Sequence, residues 1–362
     1  MKRTGFVVRA RRAILVASGV ATLTASCLVA TQPTSGAIPS RLIGVNTVTV
    51  RQDEFREKDF DALTRDGFRS VRLHVEWPII EPEQGKFDWT STDAQINAAR
   101  QRGLSVLGVI TYTPSWAVAP ENRAGYIHPG PADPATFARF VQIAAERYKD
   151  RIDSWEIWNE PNVLASFAPA PDIGKYAAML KAAYTEIKRI SPNATVITGG
   201  TSPAVNSPTS VAPADFIRGL FEQGAGDYFD AVAMHPYSAP EMLSAAGGPD
   251  GSRKAIEDVT ALLQQNGQGD KSIWFTEFGA STATGVSSPD GGQLGITEQE
   301  QAAYLEDGIT YLRSLPNAGP IYLFDYRDIE TRSQTVEFSY GLVRDDFSPK
   351  PSLAVVQSLL NS

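Results

Sequence analysis

Short apolar runs rich in β-branched and aromatic residues alternate with helical patterns from residue 38 to the end of the chain. Eight of these runs predict strands. Most are continuously apolar, which is typical of parallel strands that are covered on both faces. The predicted strands span residues 42–45, 70–75, 105–110, 154–158, 195–198, 231–234, 273–276 and 321–324.

Helix signals lie between these runs. A glycine follows each of the patterns at 59–66 and 92–102 and predicts that a helix ends there. Asp133-Pro134 is a capping residue followed by proline, and it predicts the start of a helix that reaches about Tyr148. Three more helices are predicted by an amphipathic pattern at 173–190, a capping box at 297–300 and a last apolar pattern at 352–360.

Eight strands that alternate with helices predict an α/β fold, and the length of 325 residues fits a single (β/α)8 TIM barrel at 38–362 without an accessory β-sandwich domain. The alternative is an open, doubly wound sheet. Such a sheet usually carries a glycine-rich turn after its first strand, and the sequence Ile43-Gly44-Val45-Asn46 shows none. Stretches rich in Gly, Pro and Ser follow four strands and are expected where the carboxyl ends of the strands meet, at 117–133, 201–213, 238–252 and 279–296.

The first 37 residues have the order of an export signal. A basic start is followed by an apolar stretch at 13–30 and by the small residues Ser35-Gly36-Ala37, so we expect cleavage after Ala37 and a protein that is secreted or held in the cell envelope. Three alternatives stay open. The Arg11-Arg12 pair is compatible with twin-arginine export, the apolar stretch with an uncleaved membrane anchor, and Cys27 with lipidation.

The net charge of −8 combines two unlike parts, because the first 37 residues carry +5 and the remaining 325 carry −13. Nucleic acids and anionic membranes bind basic faces, so the acidic body is a poor partner for both, and we expect neither. The single cysteine excludes a disulfide framework, and the three histidines lie too far apart for a local zinc motif. We therefore expect a monomer with no metal, no cofactor and no stable membrane insertion after cleavage of the signal.

Two carboxylates stand at predicted strand ends among aromatic residues. Glu160 follows the fourth strand in Trp155-Glu-Ile-Trp-Asn-Glu-Pro-Asn162, and Glu277 lies between two phenylalanines after the seventh. A barrel brings strand ends together around one cavity, and two carboxylates that flank a bond are the machinery of glycoside hydrolysis. The partly desolvated setting of Glu160 suits a general acid. The alternative for Glu160 is a solvated residue that precedes a helix.

Other residues near strand ends are candidates for holding a sugar. Tyr237, after the sixth strand, can hydrogen-bond Glu277, and Asn159 can bind a sugar hydroxyl. Trp116 and Tyr326 are among the aromatic residues that could stack on sugar rings, and ordinary core packing is the alternative for such residues.

The second strand carries a polar face. Period-two alternation places Arg72, His74 and Glu76 on one side, which can only point into the barrel or its mouth. An arginine there would keep a carboxylate ionised, as a nucleophile requires. Alternatively, Arg72 forms a structural salt bridge with Glu76 or Glu156. His128, in the loop after the third strand, is expected at the exposed surface, and contact with a bound sugar is the alternative.

Taken in order, Trp-Asn-Glu-Pro-Asn at 158–162, His-Pro-Tyr at 235–237 and Thr-Glu-Phe-Gly at 276–279 resemble the clan A retaining glycoside hydrolases. Within the clan the chain is most similar to glycoside hydrolase family 39 and to the related cellulase-type enzymes of family 5, over essentially residues 40–360. The resemblance implies that Glu160 is the acid/base and Glu277 the nucleophile. It implies further that Asn159 binds the 2-hydroxyl, that Tyr237 orients Glu277, and that Arg72 and His235 complete the site.

One departure concerns the end of the eighth strand, where the clan often carries a tryptophan under the sugar. Residues 321–326 offer only phenylalanine or tyrosine there, which leaves the identity of the sugar open. The predicted function is an exported retaining glycosidase that cleaves β-glycosidic bonds of a poly- or oligosaccharide. The competing class is a non-catalytic glycan-binding protein on the same barrel. A serine hydrolase is disfavoured because no Gly-x-Ser-x-Gly motif is present.

Overall fold

The computed structural model describes residues 42–51, 53–283, 295–331 and 333–361. The predicted export signal at 1–37, with its cleavage position, therefore lies outside the described residues, as does part of the predicted loop at 279–296. None of the described helices combines the length and the apolar character that crossing a membrane requires.

Eight parallel strands form one sheet in the order β5-β4-β3-β2-β1-β8-β7-β6. Single bridges from Ile197 to Ala231 and from Thr201 to Met234 join the two outer strands of that order, so the sheet closes on itself. The predicted (β/α)8 barrel is therefore confirmed, and the open doubly wound alternative is excluded. The strands are β1 Ile43–Asn46, β2 Ser70–Glu76, β3 Ser105–Thr111, β4 Ser154–Asn159, β5 Thr195–Gly200, β6 Val232–Met234, β7 Ile273–Phe278 and β8 Ala318–Leu323.

The described helices cover the outside of the barrel and follow the predicted caps. The Asp133 side chain accepts a hydrogen bond from the Ala135 amide, and Thr297 and Glu300 form both bonds of the predicted capping box. These caps satisfy backbone amides that have no partner within the helix. The helices are α1 Asp53–Arg65, α2 Trp77–Ile80, α3 Thr90–Gln101, α4 Pro134–Tyr148, α5 Ile173–Ile190, α6 Pro213–Glu222, α7 Ser252–Gln265, α8 Glu298–Ser314 and α9 Pro351–Leu360.

Several elements differ from the sequence prediction. Helices α2, α6 and α7 are not predicted by the sequence, and α1 begins at Asp53 instead of residue 59. Strand β8 spans Ala318–Leu323 instead of residues 321–324. The sequence does not predict its first residues, because Gly319 and Pro320 are of types that are depleted in strands. Gly319 is needed there, since a Cβ atom on it would lie 2.5 Å from the Trp274 ring.

The core has two parts. The larger lies between the strands and the helices, and a smaller apolar cluster fills the barrel interior. The interior cluster consists of Leu107, Ile197, Ala231, Ala233, Trp274 and Tyr322. The barrel is therefore packed and is not a channel, and its polar chemistry is gathered at the carboxyl ends of the strands.

Candidate active site

Four strands supply one polar cluster. Arg72 comes from β2, Asn159 and Glu160 from the end of β4, His235 and Tyr237 from the segment after β6, and Glu277 from β7. Hydrogen bonds join them directly or through shared partners. Of the residues singled out in the sequence, the structure brings these six together.

The end of β4 has an unusual backbone. Trp158 and Glu160 both have left-handed conformations, with φ angles of 75° and 47°. Such conformations cost about 1–3 kcal/mol for residues other than glycine, and the surrounding contacts must hold them. The indole of Trp158 is buried and donates to the Ser166 carbonyl at 2.8 Å, and the Glu160 amide donates to the Gly200 carbonyl at 3.0 Å. These bonds turn Glu160 toward β6 and β7.

The buried guanidinium of Arg72 connects two carboxylates. Its Nε donates to Glu156 Oε2 at 2.7 Å and its Nη1 to Glu277 Oε1 at 2.7 Å. The side-chain oxygens of Asn46 and Asn159 accept from Nη1 and Nη2 at 2.9 Å and 2.8 Å. Burial by itself lowers the pKa of Arg72, but Glu156 and Glu277 outweigh it and raise the pKa above its usual value. Arg72 thus forms both the salt bridge with Glu156 and the contact with Glu277 that the sequence treats as alternatives.

Glu277 is held from two sides. In addition to Arg72 on Oε1, its Oε2 accepts a hydrogen bond from the Tyr237 hydroxyl at 2.9 Å. Burial, followed by the charge of Glu277, raises the pKa of Tyr237 well above its usual value, so the hydroxyl keeps the proton that it donates. The Glu277 side chain is 12% exposed and so is open to the barrel mouth on a narrow face.

Glu160 contacts the buried ring of His235. The distance from His235 Nδ1 to Glu160 Oε1 is 3.1 Å, and the Glu160 side chain is 21% exposed. Burial lowers the pKa of His235, but the charge of Glu277 and the hydrogen bond with Glu160 outweigh it, and the net pKa is raised. Any stability that this shift contributes is present at low pH and is lost as the pH rises through the folded-state pKa.

The two candidate catalytic carboxylates lie close together. One oxygen of Glu160, one of Glu277 and one ring nitrogen of His235 all lie within 4.8 Å of one another. Retaining glycosidases have carboxyl groups about 5–5.5 Å apart, whereas inverting enzymes leave about 6.5–9.5 Å for a water molecule. The same three groups are of the kinds that could also bind a cation. The expectation of no metal and no cofactor stays a prediction.

Asn159 is fixed at both ends of its amide. Its oxygen accepts from Arg72, and its nitrogen donates to the Tyr112 hydroxyl at 3.3 Å. Burial and the charge of Glu160 raise the pKa of Tyr112 to about 12. His128 stacks on the Tyr112 ring with centroids 3.7 Å apart and is half-buried, so its predicted place at the surface is wrong. Stacking on Tyr112 covers one face of the His128 ring.

Tyr326 does not lie with the carboxylates. Its hydroxyl donates to Asp66 at 2.8 Å, and its buried ring packs edge-on against Phe68. The predicted stacking of Tyr326 on a sugar is therefore corrected, because the side chain points away from the mouth and has no open face. Tyr340 lies at the site instead and packs against Tyr237 and Phe324 with centroids 6.0 Å and 5.3 Å apart.

His74 and Trp116 touch neither of the two carboxylates in any described contact. His74 lines a small cavity with Arg72, and its Nδ1 is 3.2 Å from the Thr111 hydroxyl. The Trp116 indole donates to the Glu81 carbonyl at 2.8 Å, and its ring meets Trp77 edge-on. Their predicted contacts with substrate stay predictions.

The chain matches the family model described as cellulase (glycosyl hydrolase family 5) over residues 31–321. The chain belongs to this family. The resemblance to the clan A retaining hydrolases, read from the three motifs, is thereby confirmed, and the family that matches is the cellulase-type relative that the sequence suggested beside family 39.

Solved structures similar to this family 5 enzyme include a family 39 glycoside hydrolase from the gut symbiont Bacteroides cellulosilyticus WH2. That structure is 26% identical with a TM-score of 0.71, and the alignment covers 91% of this chain and 66% of that one, so this chain spans just under two thirds of its length. A family 5, subfamily 18 enzyme from Streptomyces cattleya in complex with GlcNAc is 18% identical with a TM-score of 0.64, covering 88% and 79% of the two chains.

A monomeric β-xylosidase from Caulobacter crescentus CB15 also shares the fold of the family 5 enzyme. It is 17% identical with a TM-score of 0.66, and the alignment covers 90% of this chain and 69% of that one. At this identity the likeness concerns the barrel alone.

Three residues of the family 5 site were not predicted to contribute to it. Asn46 contacts Arg72, Thr276 contacts His235 at 3.0 Å, and Glu156 was considered only as a salt-bridge partner. Period-two alternation of β4 could have placed Glu156 inside the barrel. The position of Thr276 relative to His235 has no signal in the sequence, because it depends on how β6 and β7 align.

We expect Arg72→Met to destabilise the family 5 enzyme by about 3–5 kcal/mol, because it leaves Glu156 and Glu277 without the cation that they share. The matched control is Arg102→Met, which removes two surface ion pairs with Glu57 and Asp61 and should cost less than about 1 kcal/mol. Denaturant unfolding at neutral pH measures both. Equal losses for the two variants would contradict the central role of Arg72.

Proposed function

We propose that this chain hydrolyses β-glycosidic bonds of a poly- or oligosaccharide with net retention, with Glu160 as the acid/base and Glu277 as the nucleophile. The observation that carries the proposal is the short separation of the two carboxylates. One oxygen of Glu160 and one of Glu277 lie within 4.8 Å of each other and of a ring nitrogen of His235. That spacing leaves no room for the water molecule that an inverting enzyme places between substrate and base.

In the first step, Glu277 attacks the anomeric carbon while the bond to the leaving oxygen breaks. Glu160 gives its proton to that oxygen, and a covalent glycosyl-enzyme forms. Two contacts support Glu277 in this role, since the Arg72 guanidinium and the Tyr237 hydroxyl each bind one oxygen of its carboxylate. They fix the orientation of the carboxylate at the barrel mouth.

In the second step, Glu160 takes a proton from water, the water oxygen attacks the anomeric carbon, and the bond to Glu277 breaks. The same residue therefore gives and then accepts a proton. The partial exposure of Glu160 and its contact with His235 at 3.1 Å support this double role. Glu277 has no such imidazole within hydrogen-bonding distance, its nearest ring nitrogen being His235 Nδ1 at 3.7 Å.

The substrate proposed is a neutral sugar. Within the described part of the chain, Arg72 is the cation that contacts Glu277, and its Nε, Nη1 and Nη2 all donate to protein oxygens. No donor of that guanidinium is left for the carboxylate of an acidic sugar. A subsidiary support comes from the solved structures of similar fold, which include a β-xylosidase and a subfamily 18 enzyme in complex with GlcNAc.

The competing function, glycan binding without catalysis, is disfavoured by the backbone around Glu160. The left-handed φ angles of Trp158 and Glu160 cost free energy, and they bring one carboxylate close to another, a spacing that retaining hydrolysis requires and that sugar binding does not.

Export forms part of the proposal, supported by the order of basic, apolar and small residues at 1–37. We expect the mature protein to begin at Ile38, because Ser35 and Ala37 are the small residues of the cleavage position. N-terminal sequencing of the protein recovered outside the cytoplasm of an expressing bacterium tests this. Recovery only in the membrane fraction with residues 1–37 still attached would favour the anchor.

We expect azide to restore turnover in Glu160→Ala and in Glu277→Ala and to give products of opposite configuration. In Glu160→Ala, azide attacks the glycosyl-enzyme and yields the β-glycosyl azide. In Glu277→Ala, azide replaces the missing nucleophile and yields the α-glycosyl azide. The substrate is the 2,4-dinitrophenyl β-glycoside that the wild type cleaves fastest, and the products are identified by proton NMR.

The matched control is Glu156→Gln, in which a fully buried neighbouring acid loses its charge. Azide should not restore turnover in that variant, because Glu156 does not reach the mouth. The assignment is wrong if the two alanine variants give the same azide anomer, or if either alanine variant retains wild-type turnover without azide.

A further inference from the structure

A buried chain of hydrogen bonds runs behind the catalytic pair. The Thr276 hydroxyl donates to Glu156 Oε1 at 3.1 Å, and His235 Nε2 lies 3.0 Å from the same hydroxyl oxygen. The other ring nitrogen, Nδ1, faces Glu160. His235, Thr276 and Glu156 are all buried, so water does not compete for these bonds.

The number of protons available decides which group donates in each of these hydrogen bonds. Glu156 accepts from Arg72 through both oxygens and from the Gly200 amide at 2.9 Å, and a carboxylate paired in this way has no proton to donate. The one hydroxyl proton of Thr276 therefore goes to Glu156. A hydroxyl has a single proton, so Thr276 can only accept from His235, and Nε2 must carry a hydrogen.

Gly200 makes room for this contact. A Cβ atom on Gly200 would lie 2.1 Å from His235 Nε2 and 2.7 Å from the Thr276 hydroxyl oxygen, which no packing could accommodate. The glycine has no left-handed φ angle, so the position demands glycine for space and not for backbone conformation. The ring is thus seated against bare backbone with Nε2 directed at Thr276.

We propose that Thr276 is a positioning residue that holds His235 in the Nε2–H tautomer and so leaves Nδ1 to share one proton with Glu160. For its effect on turnover the inference rests on the proposed role of Glu160. When Glu160 carries the proton, it donates to the Nδ1 lone pair. After Glu160 has released the proton to the leaving oxygen, its carboxylate faces that lone pair, which favours taking a proton back from water.

The consequence is that the enzyme stays active to a higher pH than it would without Thr276. Loss of the shared proton would leave a lone pair against a carboxylate, unless the ring changed to the Nδ1–H tautomer and gave up Thr276. The groups that face the ring are Glu160 and Glu277 at Nδ1, Thr276 and Glu156 at Nε2, Arg72 nearby, and the edge of Tyr237. The acids among them favour retention of the proton.

The direct test is ¹⁵N NMR of the histidine rings. The chain contains three histidines, so the spectrum holds three ring systems, and a His235→Gln variant identifies the one in question. In the wild type we expect Nε2 to stay protonated across the titration while Nδ1 titrates. In Thr276→Val, which keeps the shape and removes the hydroxyl, the Nδ1–H tautomer should appear at alkaline pH.

The kinetic test is the pH dependence of kcat/KM on an aryl glycoside with a poor leaving group. We expect Thr276→Val to move the alkaline limb to lower pH by about one unit, the effect of one ordinary hydrogen bond. Thr276→Ser keeps the hydroxyl and should retain the wild-type limb. Thr198→Val is the matched control, since it removes a buried hydroxyl of β5 that accepts from the Ala233 amide.

The inference is overturned if the wild-type ring carries its hydrogen on Nδ1, if Thr276→Val changes neither tautomer nor limb, or if Thr198→Val moves the limb equally. A tautomer change without a movement of the limb also overturns the claim about activity at higher pH. The NMR measurement on the wild type needs no turnover and no variant of Thr276, so it decides the tautomer even if Glu160 proves not to be the acid.

Discussion

The site depends on one buried cation. Removing a guanidinium from water costs several kcal/mol, and the cost is offset only where its donors are all satisfied. Arg72 meets that condition through Glu156, Glu277 and two asparagine oxygens, which come from strands β1, β4 and β7. The contacts that hold Arg72 therefore also fix the position of Glu277, so the stability of the barrel and the geometry of the site rest on the same bonds.

Around that cation the two carboxylates occupy different surroundings. Glu277 is bound by a cation and by a phenol, which suits a group that must stay charged and attack. Glu160 is reached by an imidazole and has more exposure, which suits a group that must give and take a proton. Different surroundings give two chemically identical carboxylates different roles, and a glycosidase reaction needs both roles in one site.

Much of this arrangement could be predicted from the sequence, because periodicity reports which strands exist and which residues end them. Glu160 and Glu277 stood out because a carboxylate among aromatic residues at a strand end has few other reasons to be there. Tyr326 was misplaced, since its direction after β8 depends on the bond from its amide to the Asn46 carbonyl, a partner 280 residues away. Tyr340 and the left-handed Trp158 had no local signal at all.

The central claim is that hydrolysis proceeds with retention through the Glu160 and Glu277 pair. It is tested most directly by following the anomeric proton signals of the product during the first minutes of hydrolysis of an aryl β-glycoside, before mutarotation. The account predicts that the β-anomer appears first and the α-anomer only as the sugar equilibrates. Initial formation of the α-anomer would contradict it.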